Sequence, residues 1–275
     1  MKDVHAVFNG RFDSLDNIKI SPLSRAYTFS DSVYEVIPFY NSNVIAFEKH
    51  ILRLKNSCDS LSFCVDIEEI SKEITELIDK SELNDGYVYY QVSRGVDPIR
   101  SHMFKEDISI ETFGYVLAHS FESKNVKVML CEDLRWQRCD IKSTSLLGNV
   151  MTMNSAKDKG CDEVIMHKNN IITEGGASNV FFSNDDFVFT PKLSNSILPG
   201  ITRELLIKEI TAKGIKVKEG IYNIDDLLGA KSIWLTSSTK GLAQVVEIVN
   251  QRTNLEIDHK LFKECNNIFT SNFLS

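Results

Sequence analysis

The sequence predicts an α+β protein of two domains, and three observations carry that reading. Its 275 residues suit one large domain or two ordinary ones. Runs of β-prone residues are followed by helical 3.6-residue periodicity in both halves of the chain. Between the halves the pattern breaks into the polar stretch His119-Ser120-Phe121-Glu122-Ser123-Lys124-Asn125. The expected organisation is a smaller domain over 1–118, a linker over 119–125 and a larger domain over 126–275.

In chain order, short apolar runs over 4–20, punctuated by Asn9-Gly10 and Asp16-Asn17, predict a starting hairpin. Val33–Tyr40 reads as a strand with its turn at Asn41–Asn43. Phe47–Leu61 reads as a helix, with Ile51, Leu52, Leu54, Cys58 and Leu61 on its apolar face and His50, Arg53 and Ser57 on another. Asp66 and Glu69 have the spacing of a capping box, opening a helix striped by Ile67, Ile70, Ile74, Leu77 and Ile78. Asn84-Asp85-Gly86 ends it, and Tyr87–Arg94 follows as a strand rich in aromatic and β-branched residues. Beyond the break, strands are expected at 126–130, 163–167, 178–182, 187–190 and 232–235. Helices are expected at 145–159, 201–213, 224–229 and 258–272. There is no internal repeat and no low-complexity tract.

Composition narrows the function classes. Lys and Arg number 31 against 38 Asp and Glu, a net charge of −7, and no basic stretch stands out, which argues against nucleic acid as a partner. No run approaches the ~18 apolar residues of a membrane span, and the first residues lack the apolar core of a secretory signal. The six cysteines form no CxxC and no metal-type pairing with histidine, so no metal is expected. They read as reduced thiols of a cytoplasmic protein.

Five segments could carry chemistry. Leu198-Pro199-Gly200-Ile201-Thr202-Arg203 runs into a helix whose free N–H groups favour an anion, although most such starts are ordinary N-termini. Thr236-Ser237-Ser238-Thr239 places four hydroxyls at a strand end, where they hold either a phosphate or the turn itself. Thr173–Asn179 is a Gly-rich bend with one carboxylate, Glu174, and reads equally as a hairpin turn with an exposed Glu. Lys142 sits just before a helix and is one lysine among many. Arg100-Ser101-His102, after a strand end, could clamp a carboxylate or lie in a solvated loop.

Taken together and in this order, the segments resemble fold-type IV pyridoxal-phosphate enzymes over nearly the whole chain. The likeness rests on VYEV at 33–36, HILRL at 50–54, RCDIKS with LLGNV at 138–150, KGCDEVI at 159–165, TEGGASNV at 173–180 and ILPGITR at 197–203. Within that class the chain most resembles the D-amino-acid transaminases, through EDLRW leading into RCDIKS and through Arg100-x-His102. The resemblance implies a smaller N-terminal α/β domain and a larger C-terminal domain with a β-barrel-like core.

It also implies pyridoxal 5'-phosphate as cofactor, with Lys142 as the Schiff-base lysine that moves the Cα proton. Glu174 becomes the anion facing the ring nitrogen and Leu198 the apolar support of the ring. Arg53, Ile201, Thr202, Ser237 and Ser238 become the phosphate site, and Tyr34, Arg100 and His102 the trap for the substrate carboxylate. The implied reaction moves an amino group from a D-amino acid such as D-alanine to a 2-oxo acid such as 2-oxoglutarate, in a homodimer. The alternatives are an L-branched-chain transaminase or aminodeoxychorismate lyase of the same fold, or a weakly catalytic relative that binds the cofactor. The chain departs from the family pattern at Ser30 and Ser32, where glycines are usual, at Ile99, which separates Pro98 from Arg100, and at Ser145, where Asn is usual.

Overall fold

The computed structural model describes residues 4–122, 124–257 and 259–274. Ser123 of the expected linker and Asp258 at the expected start of the last helix lie outside the described residues, as do residues 1–3 and 275. The chain forms two compact units: Met1–Ser120 with Ile141–Ser145, and Phe121–Asp140 with Leu146–Ser275.

The first unit is built on an antiparallel sheet of order β2-β1-β6-β5-β3-β4. β1 (His5–Phe8) and β2 (Arg11–Ser14) form the expected hairpin. Its two turn residues, Asn9 and Gly10, take φ of 48° and 75°, as a turn matched to strand twist requires. A five-residue helix, α1 (Arg25–Phe29), leads into β3 (Ser32–Tyr40) and the short β4 (Asn43–Val44). α2 (Phe47–Ser60) and α3 (Ile67–Ser81) follow, then β5 (Gly86–Ser93) and β6 (Glu111–Ala118). Val33, Ile37 and Phe39 of β3 and Val88, Tyr90 and Val92 of β5 face Leu54, Cys58, Ile74 and Leu77 of the helices in one core.

α3 begins where expected, the Asp66 carboxylate accepting from the N–H groups of Glu68 and Glu69 at 3.0 and 3.1 Å. Its stripe meets the sheet at Gly114, where a Cβ would lie 2.8 Å from the Tyr90 ring and 3.1 Å from Leu77. β6 is the strand that the break in pattern from residue 115 conceals. Its exposed and buried residues alternate weakly, and Gly114 at its centre carries no side chain to mark the buried face. Leu77 is wholly buried, so Leu77→Ala should cost about 2–5 kcal/mol. Urea unfolding of the purified protein measures this, and a cost under about 1 kcal/mol would contradict the packing described.

Ile141–Ser145 corrects the expected domain bounds, because this stretch of the 126–275 segment packs with the first unit. Ile141 is buried in the core of that unit. Tyr34 N–H donates to the Lys142 carbonyl at 2.9 Å and Thr144 N–H to the Ser32 carbonyl at 3.0 Å. Val33 and Ser143 thus pair as a short antiparallel bridge beside β3.

The second unit has an eight-stranded mixed sheet of order β12-β11-β10-β13-β14-β7-β8-β9. Its elements are β7 (Asn125–Glu132), α4 (Leu147–Asp158), β8 (Glu163–Lys168), β9 (Ile171–Gly175), β10 (Asn179–Ser183) and β11 (Val188–Pro191). After them come α5 (Ile201–Ala212), β12 (Val217–Gly220), α6 (Ile224–Leu228), β13 (Ser232–Ser237), β14 (Gly241–Ile248) and α7 (Lys260–Phe273). The edge strand β9 packs back against β10 and β11, so the sheet curls toward closure around Val128, Ile165, Val180, Ile233 and Val245. This is the barrel-like core that the resemblance implies. Among the described residues no helix is long and apolar enough to cross a membrane, and no cluster of His, Cys, Asp and Glu could hold a metal ion.

Candidate active site

In the first unit the chemistry gathers where β3, α2 and the 141–145 segment meet. Lys142 is held by its main chain: its N–H donates to Ser57 Oγ at 3.3 Å, and its carbonyl accepts from Tyr34. Its Nζ lies 4.4 Å from the centroid of the Tyr34 ring. Among the described residues no hydrogen bond or ion pair engages that amine. Tyr34 in turn stacks on Tyr89, and Tyr89 on Tyr115, along the sheet face opposite the helices. The amine therefore sits on a stacked aromatic row, with no carboxylate among the described residues to hold it.

Helix α2 buries polar residues beside its apolar stripe, and Leu52 is a correction to that stripe. Leu52, assigned to the apolar stripe, is 58% exposed, whereas His50, Arg53 and Ser57 are buried. The reason is Glu35, which the alternation of β3 points into the core beside Val33 and Ile37. Arg53 Nε and Nη2 donate to its two carboxylate oxygens at 2.7 and 2.8 Å, and His50 Nδ1 lies 2.7 Å from Oε2. Burial alone would push Glu35 up, but the Arg53 guanidinium and His50 outweigh it and hold the carboxyl well below the usual range. Burial pushes His50 down, only partly opposed by Glu35. Sequence reasoning missed Glu35; the available signal was a carboxylate at a core-facing strand position, which requires a buried cation.

The Gly-to-Ser departures have structural places. Ser30 adopts a left-handed φ of 53°, where glycine is free of strain. The Ser32 hydroxyl is buried and lies 2.5 Å from Thr144 Oγ1, tying β3 to the lysine segment. Nothing in the structure explains Ser145. Ile99 is 60% exposed, with its N–H donating to Asp97 Oδ1 at 3.1 Å, so the extra residue loops out to solvent.

Arg100 and His102 are exposed on the same loop and share one platform, the Phe29 ring. The Arg100 guanidinium lies 4.6 Å from its centroid, and the His102 ring meets it edge-on at 5.3 Å. The buried Arg25 pins the loop from beneath, donating to the Ser101 carbonyl at 2.6 Å and pairing with Asp31 and Asp97. No hydrogen bond among the described residues joins Tyr34 to Arg100 or His102. Arg100 and His102 thus share one scaffold, while Tyr34 stands on the Tyr89 row with no ring contact to either among the described residues.

In the second unit the remaining candidates converge around Glu174. This residue lies in strand β9 and is buried, not exposed in a turn. Its Oε2 accepts from Leu198 N–H at 3.0 Å and from Asn179 Nδ2 at 3.1 Å. Asn179 Nδ2 also donates to the Leu198 carbonyl at 3.0 Å, which fastens Glu174 to the Leu198-Pro199-Gly200 bend. Gly200 is the N-cap of α5 and offers no side chain to the N–H groups that follow. A Cβ there would collide with Asn179 Oδ1. Ile201 and Thr202 are both buried in that first turn. Asn179 pairs across the sheet with Thr236, which brings Ser237 and Ser238 to the same end of the sheet.

Arg135 was not legible as a site residue. Its Nη1 donates to Glu174 Oε1 at 2.5 Å, while Nε and Nη2 grip Asp133 at 2.9 and 2.7 Å. Burial dominates at Glu174 and raises it to about 7, partly offset by the Arg135 guanidinium. Glu174 therefore remains an acceptor whose ionisation a further cation would favour. Ser178 Oγ and Thr236 Oγ1, on either side of Asn179, are buried without a hydrogen-bond partner among the described residues.

Comparison with known proteins bears directly on this arrangement. The amino-transferase class IV family matches residues 32–248. A D-alanine aminotransferase of Bacillus licheniformis is 31% identical over 251 residues, covering 89% of this chain and 88% of that protein. One of Listeria monocytogenes serotype 1/2a (strain 10403S) is 35% identical over 234 residues, covering 82% and 80%. A branched-chain amino acid aminotransferase of Escherichia coli superposes with a TM-score of 0.92 at 22% identity, covering 99% of this chain and 95% of that one. A T.th. branched-chain amino acid aminotransferase, complexed with N-(5'-phosphopyridoxyl)-L-glutamate, superposes at 0.90 with 19% identity, covering 98% and 94%. At such identity the two structures show the fold alone.

The chain belongs to the class IV aminotransferases. It is an enzyme that uses pyridoxal 5'-phosphate, and its residues fit that cofactor. Within the first unit, the Lys142 amine meets no hydrogen-bond or ion-pair partner among the described residues. Within the second unit stand a buried carboxylate, Glu174, and a helix start free of capping side chains, whose N–H groups suit an anion.

Proposed function

We propose that this chain moves the amino group of a D-amino acid such as D-alanine to a 2-oxo acid such as 2-oxoglutarate, as a cytoplasmic homodimer. The observation that carries the reading is Lys142, a main-chain-anchored lysine whose amine rests on Tyr34 and is bound to no anion among the described residues. The D-alanine aminotransferases at 31–35% identity support the choice of substrate hand. All six cysteines are free thiols, which suits a reducing compartment.

When bound, pyridoxal 5'-phosphate supplies an aldehyde that takes up the amino group and a ring that acidifies the substrate Cα–H. The protein does the rest. Lys142 Nζ would be the anchor and the base, one amine serving both to remove the Cα proton and to return it. The Glu35–His50–Arg53 cluster positions α2, whose Ser57 fixes the Lys142 main chain. Glu174 offers its carboxylate to the ring nitrogen, which must stay protonated to draw electrons from Cα. Leu198 supports the ring. The N–H groups of Ile201 and Thr202 with the hydroxyls of Ser237 and Ser238 receive the phosphate, whose charge is about −1.5 to −2 near neutral pH. Arg53 adds a cation for that phosphate beyond its pairing with Glu35.

Tyr34, Arg100 and His102 receive the substrate carboxylate, the guanidinium as a planar fork and the imidazole as a further donor. Arg100→Ala should raise the KM for D-alanine at least about tenfold, the loss of roughly one charge-assisted pair. The cofactor spectrum should not change, because ring and phosphate are held elsewhere. Steady-state kinetics with D-alanine test this. An unchanged KM would remove the trap from the reading.

A further inference from the structure

One ion pair in the second unit, between the half-buried Lys240 and the buried Glu163, has no part in the roles above, yet it joins the two loops that carry them. Glu163 opens β8 and is 0% exposed. Its Oε1 accepts from Gly176 N–H at 3.0 Å and from Val164 N–H at 3.3 Å, and its Oε2 accepts from Lys240 Nζ at 2.7 Å. Gly176 lies two residues after Glu174, and Lys240 two residues after Ser238. The Lys240 N–H also donates to Ser237 Oγ at 3.2 Å, so one residue grips the hydroxyl loop by its main chain and Glu163 by its side chain.

The Gly176 end is equally constrained. Its carbonyl accepts from Asn149 Nδ2 at 2.8 Å. A Cβ at 176 would lie 2.8 Å from Glu163 Oε1 and from Met153 Cγ, so the bare backbone is what admits the carboxylate. A wholly buried carboxylate is tolerated only with a cation and hydrogen bonds to both oxygens. Glu163 takes its cation from one loop and an N–H from the other, with the adjacent Val164 N–H completing the set.

We infer that Lys240 and Glu163 are positioning residues that set the distance between the Ser237–Ser238 hydroxyls and Glu174, and so the fit of the cofactor between its phosphate and its ring nitrogen. This rests on the reading of those hydroxyls and of Glu174 as cofactor contacts. A cationic substitute that still reaches Glu163 should keep the strap, whereas a neutral pair of similar shape should lose it without leaving a buried charge.

The test is the dissociation constant of pyridoxal 5'-phosphate, titrated into the cofactor-free protein and followed by tryptophan fluorescence, with melting temperature measured alongside. Glu163→Gln/Lys240→Met should melt near the wild type yet bind the cofactor about tenfold more weakly. Lys240→Arg should bind within about threefold of the wild type. Unphosphorylated pyridoxal should distinguish the variants less, because it lacks the group the hydroxyl loop receives. If the double variant binds pyridoxal 5'-phosphate as tightly as the wild type while Ser237→Ala/Ser238→Ala binds weakly, the strap is overturned and the hydroxyl reading stands. If Ser237→Ala/Ser238→Ala also binds as the wild type does, the hydroxyl reading itself fails and takes the inference with it. Should the double variant not fold, a Lys240→Arg protein that folds but binds more than about tenfold more weakly overturns the inference equally.

Discussion

Lys142→Ala should lower transamination by at least about 10⁴-fold, because a single substitution removes both the covalent anchor and the proton carrier. The protein itself should remain folded. The Lys142 side chain makes no hydrogen bond or ion pair among the described residues, and its anchoring contacts are all main-chain ones, to Ser57 and Tyr34. Circular dichroism and melting temperature should therefore match the wild type while turnover collapses and the yellow, covalently held cofactor is lost. An alanine variant with normal turnover would remove Lys142 from the mechanism.

Glu174→Gln should slow proton abstraction by roughly 10²-fold or more, the range expected when a group controlling proton transfer is lost. Glutamine keeps the shape and still accepts from Leu198, but it lacks the charge that keeps a ring nitrogen protonated. The same variant should have the opposite effect on the cofactor-free protein. Glu174 is raised from 4.5 to about 7, so the folded form holds the proton more tightly than the unfolded form. Its contribution to stability is full below about 4.5 and is lost as pH rises through about 7. At pH 8 the cofactor-free Glu174→Gln protein should therefore exceed the wild type in stability, by at most roughly 3 kcal/mol. Urea unfolding at pH 5 and pH 8 tests the sign. A gain at pH 5 that vanishes at pH 8 would reverse the argument.

How much of this was legible depended on what the residues look like from outside. The 3.6-residue stripe of α3 and its Asp66 cap could be read directly, because both signals are local. The stripe of α2 held at Ile51, Leu54 and Cys58 but failed at Leu52, and the burial of His50, Arg53 and Ser57 could not be read, because the partner that makes it tolerable, Glu35, comes from another strand. β6 and β14 were missed: the first alternates weakly around Gly114, and the second continues from a turn rich in hydroxyls. Lys142 carries no signal of its own; only the ordered set of motifs around it singled it out. Arg135 and Asn179 bind Glu174 through contacts that no spacing encodes.

The most direct measurement is the half-reaction of the purified, cofactor-loaded enzyme with single amino acids, without a 2-oxo acid, followed by absorbance as the cofactor passes from its aldehyde to its amine form. D-alanine should complete the conversion rapidly, whereas L-alanine, L-leucine and L-valine should leave the spectrum unchanged over the same time. Conversion by L-leucine or L-valine with none by D-alanine would contradict the assignment of substrate hand, and with it the roles given to Arg100 and His102.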